Sequence, residues 1–583
     1  MNYFAILNQP INKDNDIEFN GKYIHFEQYC SLKHWKPYFD EKNQIRMFVL
    51  GRPTIEIDEW EHYQANEESY ITQLLIKKYI QNNLNQFCNE LNGAFTILIL
   101  DGIQKRLIVI TDKLGIYPVY ENSKNNIKDF QVSTHADILA NNLAKTTLDE
   151  VSVAEFLKRG FINIPNTYYN ECKTLEHSHF YIWDFGKEQF EFRKYFDFKS
   201  NYSYDVDFLV NKLSTSLLNA IQRRTNKYYG KKAVLLSGGA DSRVILYNTA
   251  SDADAITLYN IENTEINTAK DISKILNTEH HLIQREFDHY IDILDRSVLG
   301  SGGTAEITSD HYLTYKDNDI FTSYDQLLTG CYFDYMFKGL SLNTKNISLF
   351  GKKLHYKVLS NVHSHYYTGI FTISSHYDLK VTERENQLFK NYSDLTELES
   401  KRSFPFFREG DAIMRLSLIR FFQADFIAAD NDLIDCFLAI SPKYKINSQI
   451  FGKAVARITE NINHIPHANT NIKIGAHPYI FAVKSLINSM KKKLGRGKAD
   501  KLIGEGSWIN FIAYARKSNK VDNVWNSIDD VERQIVIGLL DYDPWERGKE
   551  YILNQYNGHN LLFRIITFCR WHEMCRKDQL LKR

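Results

Sequence analysis

What this chain lacks narrows its identity first. Its 583 residues carry 71 Lys and Arg against 71 Asp and Glu, so no excess charge points to nucleic acid or to a membrane surface. Its seven cysteines, Cys30, Cys88, Cys172, Cys331, Cys436, Cys569 and Cys575, form no CxxC pair and no disulfide framework, which fits a reducing cytoplasm. No stretch approaches the roughly 20 apolar residues of a membrane span. The opening MNYFAILNQP has no basic run followed by a long apolar one, so no export signal is expected. There is no internal repeat and no low-complexity tract. What is present is ordinary globular composition, 43% apolar and 24% charged. The length exceeds what one core holds, so two or more domains are expected.

The first 200 residues read as strand-rich. GAFTILILD (93–101) and RLIVITD (106–112) are apolar runs on either side of GIQK, a hairpin pattern. ESYITQLLIKKYIQNNLNQFCNEL (68–91) has apolar residues at helical spacing, and VSVAEFLKRGFI (151–162) is a short amphipathic helix. YFDFKSNYSY (195–204) is polar, has no regular period and reads as a linker. Beyond it the pattern changes to helix (206–224), strand (KAVLL), helix, strand (253–261), helix (267–277) and strand (HHLIQ). Such alternation predicts a parallel α/β sheet. From about 390 onward the chain reads as mostly helical.

The stretch AVLLSGGADSRVIL (233–246) carries the strongest chemical signal. Strand, glycine-rich loop and helix is the layout of a phosphate site. Gly238 and Gly239 let backbone N–H groups approach anionic oxygens, the helix N-terminus adds partial positive charge, and Ser237 and Ser242 can donate. Asp241 is out of place beside an anion unless it holds Mg²⁺, which would neutralise both. No lysine follows the glycines, which excludes a Walker A loop. The bland alternative is a strand-to-helix turn with an N-terminal aspartate cap.

SGGADS resembles the pyrophosphate loop of the ATP pyrophosphatases, and the flanking text resembles one branch of them, the asparagine synthetase family. NELNGAFTILILDGIQKRLIVITDKLGIYPVY (89–120) looks like the glutaminase-type domain with its RDxLGxxPLY signature, and 151–184 resembles the segment that closes it. ILNTEHHLI (275–283) is similar to LGTEHHE, LLTGCYFDYMFKG (327–339) to LSGDGADELFGG, and ADNDLIDCFLAISPKYKI (429–446) to LDHRLVEFALSLPPELK. The matches are collinear over about 90–460. The resemblance implies an α+β N-terminal domain (1–200), an αββα sandwich of the N-terminal nucleophile hydrolase type. It implies a second, α/β domain (206–583), a parallel-sheet ATP pyrophosphatase with a helical C-terminal half. Implied nucleotide contacts are Leu235, Ser237, Gly238, Gly239, Asp241, Ser242, Thr257 and Gly330, and the implied Mg²⁺ ligands are Asp241 and Asp334. For Asp334 the alternative is an ordinary loop aspartate.

The departures matter as much. Where the family carries a nucleophilic cysteine after the initiator Met, this chain has Asn2, so no glutamine hydrolysis is expected. Asn92 and Gly93, which match the family's oxyanion positions, are then vestigial. The loop GDGAD reads GCYFD here. The family's glutamate aligns with Gln423, its arginine with Asp425, and its Pro-Phe pair with Ile427 and Ala428. The catalytic lysine falls in IPHANTNIKIG (465–475), where Lys473 is the nearest candidate and a solvated surface lysine the alternative. Cys331 reads as a nucleophile beside the pocket or as small-residue packing. His280 and His281 alternate along a strand, which argues against shared metal ligation. The basic run KSLINSMKKKLGRGKADK (484–501) reads as a solvated helix end or a grip for an acidic partner.

The expectation is an ATP- and Mg²⁺-dependent ligase that joins a small-molecule or peptide carboxylate to an amine and releases AMP and pyrophosphate. Asparagine synthase is the nearest label. Rivals are a peptide or small-molecule cyclase like the lasso-peptide cyclases and β-lactam synthetases, a sugar-acid amidotransferase, and a non-catalytic nucleotide-binding scaffold. A tRNA-modifying role would want persulfide cysteines or a basic RNA-binding domain, and neither is visible. A partner protein on the N-terminal domain and a homodimer are compatible with this reading.

Overall fold

The computed structural model of the chain describes residues 1–28, 33–63, 67–315, 318–349, 352–360, 371–404, 414–477, 480 and 509–577. Its N-terminal apolar runs pair into two antiparallel six-stranded sheets. One sheet runs Lys173–Thr174, Tyr120–Glu121, Val132–Ser133, Tyr3–Leu7, Lys22–Glu27 and Ile17–Phe19. The other runs Gln189–Lys194, His179–Asp184, Arg106–Thr111, Asn92–Asp101, Ile45–Thr54 and Tyr38–Asp40. The strand Asn92–Asp101 is buried throughout because each of its faces meets a layer. Leu98 and Leu100 share a core with Phe4, Ile6 and Val132 of the facing sheet. Phe95, Ile97 and Ile99 share another with Ile71, Leu75 and Phe87 of the helices Tyr70–Gln81 and Leu84–Glu90. Tyr3, Ala5 and Leu7 point the opposite way, onto Ile138 of the helix Ala136–Asn141. The layers therefore stack as helix, sheet, sheet, helix. The helical pattern over 68–91 is two helices rather than one, because the Asn83 side chain accepts from the N–H of Gln86 (3.0 Å) and starts a second helix.

The stretch 195–204 connects the two halves but is pinned at both ends. The Tyr195 hydroxyl donates to the Thr111 carbonyl (2.7 Å), and the Phe198 ring packs 4.9 Å from that of Phe404. The Asn201 and Ser203 N–H groups then donate to the Leu438 and Ala439 carbonyls (3.0 Å each). Polarity hid the aromatic anchors inside this stretch.

The second half is built on a five-stranded parallel sheet, in the order His280–Gln284, Ala253–Tyr259, Lys232–Leu235, Gln326–Thr329, Ala424–Phe426. The chain starts at the central strand, winds out on one side, and returns to the other with Gln326–Thr329. The loops after Lys232–Leu235 and Gln326–Thr329 consequently diverge and leave a crevice at this switch point. The short strand Ala424–Phe426 was hidden in a helical-looking region. The last described helix, Gly558–Arg576, is apolar around most of its girth and shares a core with Val153, Phe156 and Leu157 of the N-terminal helix Glu150–Arg159. Among the described residues no helix is long and apolar enough to cross a membrane.

Charge ties the halves together. Asp430 is fully buried and accepts from Arg223 Nη2 (2.7 Å) and Arg224 Nη1 (2.5 Å). Burial alone would raise its carboxyl, but the two guanidinium groups outweigh that and hold it below its ordinary value. Asn92 Nδ2 of the N-terminal sandwich donates to Asp430 Oδ2 (3.3 Å), and Asn92 Oδ1 accepts from the Asn431 N–H (2.9 Å). Replacing Asp430 with Ala leaves buried guanidinium charge unpaired and is expected to cost about 3–5 kcal/mol, read as a fall in the urea midpoint. The depressed carboxyl gives the pH sign: the Asp430 contribution is complete at neutral pH and shrinks below about pH 4.

Candidate active site

The crevice holds a cavity of about 400 Å³ lined by Ser237, Gly239, Asp241, Glu265, Asp334, Lys338, Lys453, His467 and Lys473, among others. The SGGADS loop forms its floor. Ser242, one turn into the helix Ala240–Tyr247, reaches back so that its Oγ accepts from the Ser237 N–H (2.8 Å) and lies 3.0 Å from Ser237 Oγ. Ser237 Oγ in turn accepts from the Gly239 N–H (3.2 Å). Gly239 is the helix N-cap and has no side chain to satisfy the first-turn N–H groups, which leaves them for an anion.

Two glycines allow the close packing. A Cβ on Gly238 would lie 2.5 Å from Ala468 Cβ, so this residue faces the 465–475 turn rather than the cavity. A Cβ on Gly330 would lie 2.8 Å from Asp241 Cβ, which is how the end of Gln326–Thr329 can abut the loop. Arg243 holds the turn in place. Buried at the foot of the helix, it donates to the Ile465 (2.7 Å) and Pro466 (3.2 Å) carbonyls, and burial pulls its guanidinium down to about 10. This residue and the two lysines at 338 and 453 went unnoticed in the sequence.

The expected pair Asp241 and Asp334 do meet, but across a lysine. Lys338 Nζ stands 2.7 Å and 2.8 Å from the two Asp241 oxygens and 2.8 Å from Asp334 Oδ1. Burial raises the Asp241 carboxyl to about 6, with Asp334 adding and Lys338 opposing. Burial disfavours charge on Lys338, but the two aspartates outweigh it and hold the ammonium above its ordinary value. A magnesium ion sits about 2.0–2.1 Å from its oxygen ligands. Bridging these carboxylates, it would stand where Nζ now is, so the aspartates as arranged do not fit the expected ion. The clue was in the sequence: LLTGCYFDYMFKG sets Lys338 against a glycine of LSGDGADELFGG.

Other expected residues are placed differently. Leu235 and Ser242 are buried in the strand end and helix start, and Thr257 uses its hydroxyl on the Leu236 carbonyl (2.9 Å) and His280 Nε2 (2.8 Å). Lys473 stands exposed on the cavity rim. Asp425 is away from the cavity, bonded to Arg224 Nε (3.2 Å) and Gln326 Nε2 (2.7 Å), while Ile427 and Ala428 are buried. Tyr332, where the family has glycine, takes a left-handed backbone (φ 80°) and stacks against Phe426; with buried Phe333 it fills the loop instead of lining a pocket. Burial pushes the Cys331 thiol up to about 11, and its sulfur accepts from Thr329 Oγ1 (2.9 Å), so it is a poor nucleophile.

His281 turns away from His280, toward Asp254 and Glu279. Tyr324 already contacts Asp254 Oδ2 (2.6 Å) and His281 Nε2 (3.0 Å) there. Cys30 and the basic run 484–501 lie outside the described residues.

In the N-terminal sandwich, Asn2 occupies the expected nucleophile position. Its side chain donates to the Ile419 carbonyl (3.0 Å), and its N–H to the Arg420 carbonyl (2.9 Å). Asp112, in the stretch DKLGIYPVY, accepts from the N–H groups of Leu114 (2.9 Å), Ile116 (3.1 Å) and Tyr117 (3.2 Å) and so knots that loop.

A glutamine amidotransferase domain family matches residues 61–196. The match takes in Asn92, Gly93 and Asp112 and stops short of the SGGADS loop. Among the curated proteins none matches the chain.

Gly330→Ala is expected to push Asp241 off its place. Overpacking should cost about 1–3 kcal/mol, read as a fall in the urea midpoint.

Proposed function

We propose that this chain is an ATP-dependent carbon–nitrogen ligase that activates a carboxylate as its acyl-adenylate and passes the acyl group to an amine. The observation that supports it is the cavity at the sheet's switch point, where the SGGADS loop, two aspartates and three lysines converge. The uncapped N–H groups at the start of the helix Ala240–Tyr247 bind the departing phosphates. A substrate carboxylate oxygen attacks the α-phosphorus, the bond to the bridging oxygen breaks, and pyrophosphate leaves with the electron pair. The amine nitrogen then attacks the acyl carbon, loses a proton, and AMP departs. Negative charge gathers on the leaving pyrophosphate, and Lys338, Lys453 and Lys473 surround the space where it forms. The nearest label is asparagine synthase, with aspartate as the carboxylate and ammonia as the amine.

The amine comes from solution on this reading. Asn2 puts an amide where glutamine hydrolysis needs a thiolate, and both Asn2 and Asn92 are engaged by the second half. A second reading is favoured by one observation: Tyr332 and Phe333 fill the loop after Gln326–Thr329. That reshaped loop suits a carboxylate other than aspartate, on a peptide, a small molecule to be cyclised, or a sugar acid.

Purified protein given ATP with magnesium, aspartate and ammonium is expected to release AMP and pyrophosphate in equal amounts, with Asp241→Asn as the blank. Glutamine is expected not to replace ammonium; sustained AMP release with glutamine as sole donor would overturn the reading of Asn2. ATP binding without AMP release from any carboxylate offered would leave a nucleotide-binding scaffold.

A further inference from the structure

We propose that Lys338 is the resident cation of this cavity: its ammonium holds Asp241 and Asp334 together where a divalent ion would otherwise bridge them. The protein then binds a triphosphate without a metal ion on those two carboxylates. The nucleotide half of this proposal rests on the ligase reading; the metal half does not.

Three observations carry it. The first is spacing. Nζ lies at ion-pair distances of 2.7, 2.8 and 2.8 Å from three oxygens of two carboxylates, hydrogen-bonds to Asp241 Oδ2, and leaves Asp241 Oδ1 buried without a hydrogen bond of its own. The second is anchorage. Lys338 closes the helix Phe333–Phe337, and its N–H donates to the Asp334 carbonyl (3.2 Å). Gly339 follows at φ 63°, where a Cβ would meet Leu342 Cδ1 at 2.8 Å, so the backbone here is tightly confined. Nζ also stands 5.2 Å from the centre of the Phe451 ring, and only 18% of the side chain is exposed. Asp334 lies one turn before Lys338 on the same helix, so ammonium and carboxylate are carried by one element. The third is charge. Among the lining residues three carboxylates, Asp241, Asp334 and Glu265, are already matched by three ammonium groups, Lys338, Lys453 and Lys473. A divalent ion added beside the ammonium would leave the cavity with excess positive charge and must expel the lysine to bind.

Titration of the free protein with Mn²⁺, followed by electron paramagnetic resonance, reads the metal half directly. Wild type is expected to show no site that depends on Asp241 and Asp334, whereas Lys338→Met creates one that Lys338→Met/Asp334→Asn loses. A wild-type Mn²⁺ site that Asp241→Asn abolishes overturns the proposal, and that result needs no lysine variant to fold.

Calorimetry with ATP reads the nucleotide half. Wild type is expected to bind nearly as well in EDTA as in magnesium. Lys338→Met should lose about 10- to 100-fold in EDTA and recover on adding magnesium, while Lys338→Arg stays close to wild type. Wild-type binding that vanishes in EDTA overturns the proposal. A chain that binds ATP under neither condition sinks the ligase reading instead, and the Mn²⁺ result still decides the role of Lys338.

Discussion

A shielded carboxylate, Asp241, faces a half-exposed one, Asp334, and the repulsion between them calls for positive charge in the gap. The cavity of this protein is organised around that constraint. Asp241 comes from the first turn of the helix after the central strand and Asp334 from the first turn of the helix after its neighbour, and both face the cavity at the switch point. Lys338 is delivered from the same short helix as Asp334. The surrounding small residues follow from the closeness this requires: Gly330 lets one strand end lie against Asp241, Gly238 admits the 465–475 turn, and Arg243 fastens that turn from beneath.

The N-terminal sandwich bears on the same architecture from the other side. Asn92 closes against Asp430 and Asn431, Asn2 against the backbone at 419–420, and Arg223 and Arg224 supply the charge that makes the buried Asp430 tolerable. Asn2 and Asn92 are thus spent on contacts with the second half. Asp425 shows the same trade within the second half, where it answers Arg224 instead of meeting a substrate.

Much of this was legible in the sequence, for physical reasons that also explain the remainder. The SGGADS loop could be read because a phosphate cradle needs small residues at fixed offsets between a strand and a helix. The hairpin 93–111, the helix 206–224 and the first three parallel strands could be read because their apolar periods are unbroken. The linker 195–204 is legible as a connection, but its anchoring is not, because polar residues mask Tyr195 and Phe198, whose partners are remote in sequence. Residues 68–91 were joined into one helix because a cap at Asn83 interrupts the chain without interrupting the apolar spacing. Ala424–Phe426 was lost because three buried residues carry no period. Lys338 was visible as a letter but not as a charge in a site, since only the fold brings it within reach of Asp241, 97 positions away.

The helix Gly558–Arg576 lies against the N-terminal helix Glu150–Arg159, and Arg564 donates to the Leu157 and Lys158 carbonyls at the end of that helix. The last described helix of the chain is thus packed directly onto its first third. Deleting the sandwich would strip the apolar covering from the C-terminal helices, so the two parts of the chain depend on each other for burial.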